Sequence, residues 1–198
     1  MTYRDKHTKL SNICSIQTGF TARARLEPME AGGVPAIQLR DLGESEAFEP
    51  VELPSYALAG NLERYWVGPG DILFRSRGEQ NTAVTIVPDA KPAIAVLPLL
   101  VLRPKRELVD PHYLTWFINQ PKAQQYFDSC ARGTRLRMIS RPCLENLEVV
   151  VPDLATQRLV TEIDRLARRE CTLMTELTEK KKRFTSFVLL DRVQNAER

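Results

Sequence analysis

The stretch VPDLATQRLVTEIDRL, residues 151–166, decides the fold. It begins at the end of an apolar, β-branched run, which Pro152 stops because proline cannot donate to a strand ladder. Apolar residues with helical spacing follow directly after Asp153. The junction therefore predicts that a β-type module ends here and that the chain continues as one long helix.

The predicted helix carries an apolar stripe. After Leu159 the apolar residues alternate at spacings of four and three, which is the repeat of a coiled coil. Glu170 and Lys180 occupy two positions of the stripe and favour an antiparallel partner helix in which they meet. A helix over residues 156–190 would be about 50 Å long, more than a domain of about 150 residues needs to cover its core. A second helix is therefore expected, the alternative being a helix folded back on its own domain. The predicted interface residues are Leu159, Ile163, Leu166, Leu173, Leu177 and Phe184.

The residues before the junction predict short strands separated by glycine and proline. IQLRDL, residues 37–42, alternates apolar and polar residues and predicts a half-buried strand. GDILFRSRG, residues 70–78, and TAVTIV, residues 82–87, predict a hairpin in which Ile72 and Phe74 face one side. AIAVLPLLVLRP, residues 93–104, predicts one or two buried strands. The residues expected near the hairpin tip are Arg75, Arg77, Glu79, Gln80 and Asn81.

A change of period after Asp110 predicts helices. Pro111 suits a helix start, Pro121 breaks that helix, and a second short helix follows. The aromatic residues are interpreted as a buried helix face. NLEVVVP, residues 146–152, predicts the strand that closes the domain. The predicted class is α+β, with a mostly-β domain and short helices over residues 1–152 and a long coiled-coil helix over residues 153–198.

The composition is globular, and it limits the possible partners. The 198 residues are 43% hydrophobic and 27% charged, and the formal net charge of +3 requires any nucleic-acid surface to be local. The basic residues do cluster, and arginine dominates, which suits bidentate contacts to phosphate or guanine. The alternative for each arginine is a solvated loop. The groups are Arg23 and Arg25, Arg75 and Arg77, and Arg132, Arg135, Arg137 and Arg141.

The cysteines and the N-terminal residues predict a reducing cytoplasm. Four cysteines lie far apart without a Cys-x-x-Cys pair, and only two histidines accompany them, so we predict buried free thiols and no zinc site. The start MTYRDKHTKL lacks the apolar core of a signal peptide. The apolar run from Ala93 is too short to span a bilayer.

Motifs of catalysis are missing from the sequence. There is no glycine-rich nucleotide cradle, no Gly-x-Ser-x-Gly elbow and no methyltransferase motif. Asp89 and Lys91 would suit a nuclease, but no second acidic ligand stands at convincing strand spacing. The chain is predicted to bind rather than to catalyse, without cofactor or metal.

Four segments together resemble the DNA-specificity subunit of type I restriction–modification systems. They are KLSNICSIQTGFT (9–21), GDILFRSRG (70–78), GTRLRMISRPCLENLEVVVP (133–152) and VPDLATQRLVTEIDRL (151–166), in the order of the family and over nearly the whole chain. Two positions depart from the family pattern. Asp153 stands where a second proline is common and Thr156 where a glutamate is common, which bears on any methylase contact at this junction.

The resemblance implies a mechanism. Members of the family usually have two target-recognition domains, each followed by a long helix, and the two helices pack antiparallel. This chain resembles half of such a subunit, and a homodimer would read a bipartite, inverted-repeat target in double-stranded DNA. The modification (methyltransferase) and restriction subunits that the family recruits would hold the chemistry.

The candidate DNA contacts are mainly arginines on predicted loops, together with two amides that could pair with adenine or serve turn chemistry. For Arg40 the alternative is a local ion pair with Asp41. Two other function classes remain: a stand-alone DNA-binding regulator with the same fold, and an enzyme or protein-only adaptor. The candidates are Arg23, Arg25, Arg40, Arg75, Arg77, Gln80, Asn81, Arg132, Arg135 and Arg137.

Overall fold

The computed structural model describes residues 6–22, 25–43, 45–49, 53–78, 80–131 and 137–195, with the side chains of Lys6 and Arg137 left out. The chain divides into two compact units, Met1–Arg158 and Leu159–Arg198. The strands over the described residues are β1 Lys6–Lys9, β2 Cys14–Thr18, β3 Pro28–Met29, β4 Val34–Ile37, β5 Ala47–Phe48, β6 Ser55–Tyr56, β7 Trp66–Val67, β8 Ile72–Arg75, β9 Arg77–Gly78, β10 Ala83–Ile86, β11 Ala93–Ala95, β12 Leu99–Pro104, β13 Arg137–Met138 and β14 Glu148–Val151. The α-helices are α1 Leu10–Ile13, α2 Pro111–Asn119, α3 Pro121–Cys130, α4 Arg141–Glu145 and α5 Leu154–Asn195, and Leu39–Asp41 and Glu63–Tyr65 are 3₁₀ turns.

Two sheets form the centre of the first unit. The central sheet has the order β2-β12-β8-β10-β5 and the second sheet the order β3-β6-β4-β11-β7 over the described residues. Buried residues from both sheets share one apolar cluster, in which Leu73 and Val101 of the central sheet join Ile37 and Ala95 of the second. The two sheets therefore pack face to face, as in a sandwich.

Helices cover the other face of the central sheet. Phe74 of β8 contacts Phe127 of α3 with ring centroids 5.2 Å apart, and the hydroxyls of Thr85 and Thr115 are hydrogen bonded at 2.6 Å. Because side chains alternate along a strand, Leu73 faces the second sheet while its neighbours face the helices. The α+β class is confirmed.

Most of the predicted elements are confirmed. β8 and β10 pair antiparallel as the expected hairpin, and α2 and α3 begin at Pro111 and Pro121. The prediction of a strand over residues 37–42 is wrong, since β4 ends at Ile37 and a 3₁₀ turn follows. The side chains of Gln38 and Asp41 cap this turn reciprocally, with the Gln38 amide donating to Asp41 Oδ2 at 2.7 Å. Such local capping competes with strand hydrogen bonding.

Gly19 allows the close approach of three strands. Its amide donates to the Leu99 carbonyl at 2.9 Å, and the next amide donates to the Ala95 carbonyl at 2.7 Å. A Cβ at Gly19 would lie 2.9 Å from both carbonyl oxygens. Only glycine fits here without moving backbone.

The cysteines differ in burial. All four are free thiols, but only Cys14 is buried, whereas Cys130 and Cys143 are half-buried and Cys171 is exposed. The prediction of buried thiols is therefore wrong for three of them. Burial raises the pKa of the Cys14 thiol to about 12, which makes it a poor nucleophile. Among the described residues, no helix has the length and apolar character needed to cross a membrane.

Candidate nucleic-acid interface

A short arginine-bearing ribbon lies at the tip of the β8–β10 hairpin. β9 and β13 pair antiparallel, with Arg77 opposite Met138 and Arg137 opposite Gly78. Arg77 and Met138 are exposed, and Arg77 Nη2 lies 3.8 Å from the Met138 sulfur. The structure therefore joins two arginine groups that lie about sixty residues apart in the sequence. A two-stranded ribbon of this width fits the major groove of duplex DNA.

Buried polar contacts hold the ribbon in place. Ser76 is buried, and both its amide and its hydroxyl donate to the Pro98 carbonyl. The Ile139 amide donates to the Ser76 carbonyl at 2.8 Å. The strand β9 is thus tied to the core on one side and to β13 on the other.

Two of the predicted contact residues, Asn81 and Arg75, donate to backbone carbonyls of the first unit. Asn81 is 3% exposed, and its Nδ2 donates to the Arg75 carbonyl at 2.9 Å. Arg75 is half-buried, and its Nη2 donates to the carbonyl of Leu42 at 2.8 Å and to that of Gly43. For Asn81 the structure favours turn chemistry, the second of the two roles that the sequence left open. Gln80, which lies between Gly78 of the ribbon and Asn81 in the sequence, is exposed.

Arg25 and Arg40 lie at the second sheet. Arg25 is exposed and lines an open cavity of about 890 Å³ together with Phe20 and Tyr65. Arg40 is exposed, its Nη2 donates to the Tyr56 hydroxyl at 3.1 Å, and its Nε lies 3.9 Å from Asp41 Oδ1. The local ion pair considered for Arg40 is therefore present, although weak at an exposed site.

Three further candidates, Arg23, Arg132 and Arg135, lie outside the described residues, and Arg137 is described by its backbone alone. Helices α3 and α4, which precede and follow residues 132–136 in the chain, are joined by a hydrogen bond. The Tyr126 hydroxyl on α3 donates to the Cys143 carbonyl on α4 at 2.9 Å, and the Ser140 hydroxyl accepts from the Cys143 amide at the start of α4. Burial, with the neighbouring Cys130 thiol, raises the pKa of Cys143 to about 12.

The second unit exposes the predicted apolar stripe. The six predicted interface residues are between 46% and 69% exposed on α5. Charged residues away from the stripe pair along the same helix, as Glu162 does with Arg165 at 2.6 Å and Glu179 with Lys182 at 2.9 Å. The exposed apolar residues therefore lie on an otherwise well-solvated helix, which is typical of a helix with a partner.

Asp153 and Thr156, the two residues that depart from the family pattern, contact each other at the start of α5. Asp153 Oδ1 accepts from the amides of Ala155 and Thr156, and Asp153 Oδ2 accepts from the Thr156 hydroxyl at 2.7 Å. The hydrogen bonds from Thr156 hold the pKa of Asp153 below its usual range. The pair forms a helix cap, so a proline at position 153 is not needed to start the helix.

Gln157 anchors the first turn of α5 inside the first unit. Its side chain is fully buried. Nε2 donates to the carbonyls of Pro152 at 2.7 Å and Leu108 at 3.1 Å, and Oε1 accepts from the Asp110 amide at 2.8 Å. No sequence signal indicates this role, because Leu108 and Asp110 lie more than forty positions from Gln157 in the chain.

Comparison with known proteins agrees with this architecture. No protein-family model matches the chain, but its fold is that of the specificity subunits of type I restriction–modification systems, and the resemblance drawn from the sequence is confirmed. The solved HsdS subunit from Thermoanaerobacter tengcongensis is 18% identical, with a TM-score of 0.62 over 85% of this chain and 38% of that one. A chain from a study of assembly and conformational transition of the type I R-M system is 18% identical, with a TM-score of 0.63 over 85% of this chain and 39% of that one.

One curated relative supports the same assignment. The putative type I restriction enzyme MjaX specificity subunit of Methanocaldococcus jannaschii is 22% identical over 157 residues, which is 75% of this chain and 35% of the relative. The chain thus spans about a third of the length of the curated relative that it matches.

Proposed function

We propose that the chain reads DNA sequence as the specificity component of a type I restriction–modification system in the cytoplasm. The likeness to specificity subunits in fold and sequence supports this proposal. The observation that carries it is the ribbon of β9 and β13, which presents the exposed Arg77 on a two-stranded element. Such an element suits direct readout, because the major groove admits an α-helix or a two-stranded ribbon whose side chains reach the base edges.

The proposed contact surface has two parts. Arg77, Gln80 and Arg137 belong to the hairpin tip and the ribbon, and Arg25 and Arg40 to the second sheet. Arg23 lies near Arg25 in the sequence, and Arg132 and Arg135 lie near Arg137. All three remain proposed contacts. Arg75 and Asn81 hold the hairpin that carries the ribbon.

The helix α5 would join two copies. A homodimer formed through the exposed stripe would hold two recognition units at a fixed separation and would read an inverted repeat, because the symmetry of the protein is mirrored in its site. Methyltransferase and restriction subunits would bind this assembly and supply the chemistry. Co-purification with a methyltransferase subunit distinguishes this function from that of a stand-alone regulator.

The salt dependence of duplex binding tests the DNA interface. Arg77→Ala should weaken binding about tenfold and lower the slope of log K against log salt by about one for each bound copy. Lys122→Ala, which removes an exposed cation from α3, is the matched control and should leave both quantities unchanged. Equal affinities and slopes for wild type and Arg77→Ala would remove the ribbon from the interface.

A further inference from the structure

We infer that α5 pairs with a second copy in a single register, the antiparallel one in which Glu170 faces Lys180 of the partner subunit. The inference rests on the proposed dimer and specifies its geometry. Glu170 and Lys180 are the two charged residues that interrupt the stripe between Leu159 and Phe187, and both are exposed. In any pairing that buries the stripe, each of these two charged side chains contacts residues of the partner helix.

Some of the charged residues of α5 pair within the helix. Glu162, Asp164 and Glu179 each pair with a basic residue three or four positions along the same helix. Among the described residues, the structure shows no such ion pair for Glu170 or Lys180. These two charges are therefore available to each other across an interface.

The heptad fixes which residues meet. Leu159, Leu166, Leu173, Lys180 and Phe187 share one seam position, and Ile163, Glu170, Leu177 and Phe184 share the other. In an antiparallel pair, residues at the first seam position pack against residues at the second seam position. When Glu170 meets the partner's Lys180, Leu173 meets the partner's Leu177, and Leu166 meets the partner's Phe184. Symmetry makes each of these contacts twice, so the central layers hold four leucines bounded by two ion pairs.

Other arrangements leave the seam charges unpaired. In a parallel pair identical positions meet, which places Glu170 against the partner's Glu170 and Lys180 against the partner's Lys180. An antiparallel pair that slips by one heptad, about 10 Å, places Glu170 against the partner's Leu173 and Lys180 against the partner's Ile163. An unpaired charge buried at an interface costs far more than an exposed ion pair contributes.

The flanks of the seam favour the same register on one side and oppose it on the other. Met174 would meet the partner's Met174 at the twofold axis, and Val160 would meet the partner's Val188; Met174 and Val188 are 58% and 45% exposed here. On the opposite flank Arg169 would lie near the partner's Arg183, whereas the slipped register would place it near the partner's Glu176. These flanking arginines stay in water, where such a pair is worth little, so the buried seam decides.

Charge reversal tests the pairing. Glu170→Lys and Lys180→Glu should each weaken dimerisation about tenfold or more, because each creates two like-charged contacts per dimer. The double variant restores both opposite-charged contacts and should return the dissociation constant to within about threefold of wild type. Glu179→Lys makes the same chemical change on the outer face of α5 and should leave dimerisation unchanged.

A cross-link locates the twofold axis independently. In a Cys171→Ser background, Met174→Cys should form an intermolecular disulfide with oxidised glutathione, which takes up the two electrons and the two protons as two reduced glutathiones. Position 167 has the same heptad position one repeat earlier. Ala167→Cys should not cross-link, because position 167 of the partner subunit lies about 20 Å away along the helix axis.

The results separate the register from the dimer. Restoration by the double variant together with the cross-link at position 174 supports the register. A wild-type dimer whose dissociation constant is unchanged by single reversals, or is not restored by the double variant, overturns the register while the proposed dimer stands. A wild-type protein that is monomeric by sedimentation at every accessible concentration overturns both.

Discussion

The anchor at Gln157 gives the most direct prediction about stability. Gln157→Ala removes a fully buried amide that satisfies one backbone N–H and two backbone carbonyls. Each buried backbone group left without a partner costs about 1 kcal/mol or more. The three together predict a loss of about 3 kcal/mol in the free energy of unfolding, with a further contribution from the small cavity.

The assay is urea unfolding at one fixed protein concentration, because association shifts the apparent stability of a dimer. Gln125→Ala is the control, since Gln125 is exposed on α3 and its loss should change the free energy by less than about 0.5 kcal/mol. If Gln157→Ala stays within about 1 kcal/mol of wild type, the three hydrogen bonds do not anchor the helix.

Gln157→Glu gives the same prediction a pH dependence. A carboxylate has no N–H to donate to the Leu108 and Pro152 carbonyls, and burial raises its pKa. A folded-state pKa above the unfolded value means that the folded state binds more protons at intermediate pH, so stability relative to wild type rises as the pH falls through the raised pKa. A variant that matches wild type at pH 7.5, or loses more stability at pH 5 than at pH 7.5, would refute the assigned hydrogen-bond directions.

Further predictions concern the apolar stripe of α5, the cap formed by Asp153, the strands that approach each other at Gly19, and the segment that carries Arg135 and Arg137. Leu166→Arg and Leu177→Arg should each weaken dimerisation at least a hundredfold without unfolding the first unit; light scattering that still shows a dimer would contradict the coiled-coil assignment. The hydrogen bonds from Thr156 lower the pKa of Asp153, so the stability that the cap contributes is present above the usual carboxyl pKa and is lost as the pH falls through the lowered value. Asp153→Asn keeps the cap and should remove that dependence from acid unfolding curves, whereas an unchanged pH profile would count against the cap. Gly19→Ala should cost roughly 2 kcal/mol in urea unfolding because its Cβ meets two carbonyl oxygens at 2.9 Å; wild-type stability would mean that the strands separate easily. Removing Arg135 and Arg137 together should weaken duplex binding and flatten its salt slope, and unchanged affinity would take this loop out of the interface.

Most elements defined by local patterns were predictable from the sequence, although the alternation over residues 37–42 predicted a strand where a 3₁₀ turn forms. The hairpin of β8 and β10 followed from glycine, proline and β-branched residues within eighteen positions, and the starts of α2 and α3 from two prolines. The long helix followed from its apolar repeat. In each case the determining residues lie close together in the chain.

Features that depend on distant residues were not predictable. The pairing of β9 with β13 joins two-residue strands about sixty positions apart, too short for a periodic signal. The hydrogen bonds of the Arg75 side chain depend on the carbonyls of Leu42 and Gly43, more than thirty positions away, and the role of Gln157 depends on the chain around Leu108 and Asp110. Residue type alone suggested DNA contacts at Arg75 and Asn81, with turn chemistry as the alternative for Asn81, whereas in the structure both side chains donate to backbone carbonyls.

The measurement that tests the central claim most directly is selection of the purified protein against a pool of random duplex DNA. A dimer that reads sequence with two identical units should enrich duplexes with a bipartite inverted repeat at one fixed spacing, and Arg77→Ala should weaken that enrichment. Retention of duplexes without any sequence preference at physiological salt would contradict the proposal that this chain is a sequence-reading subunit.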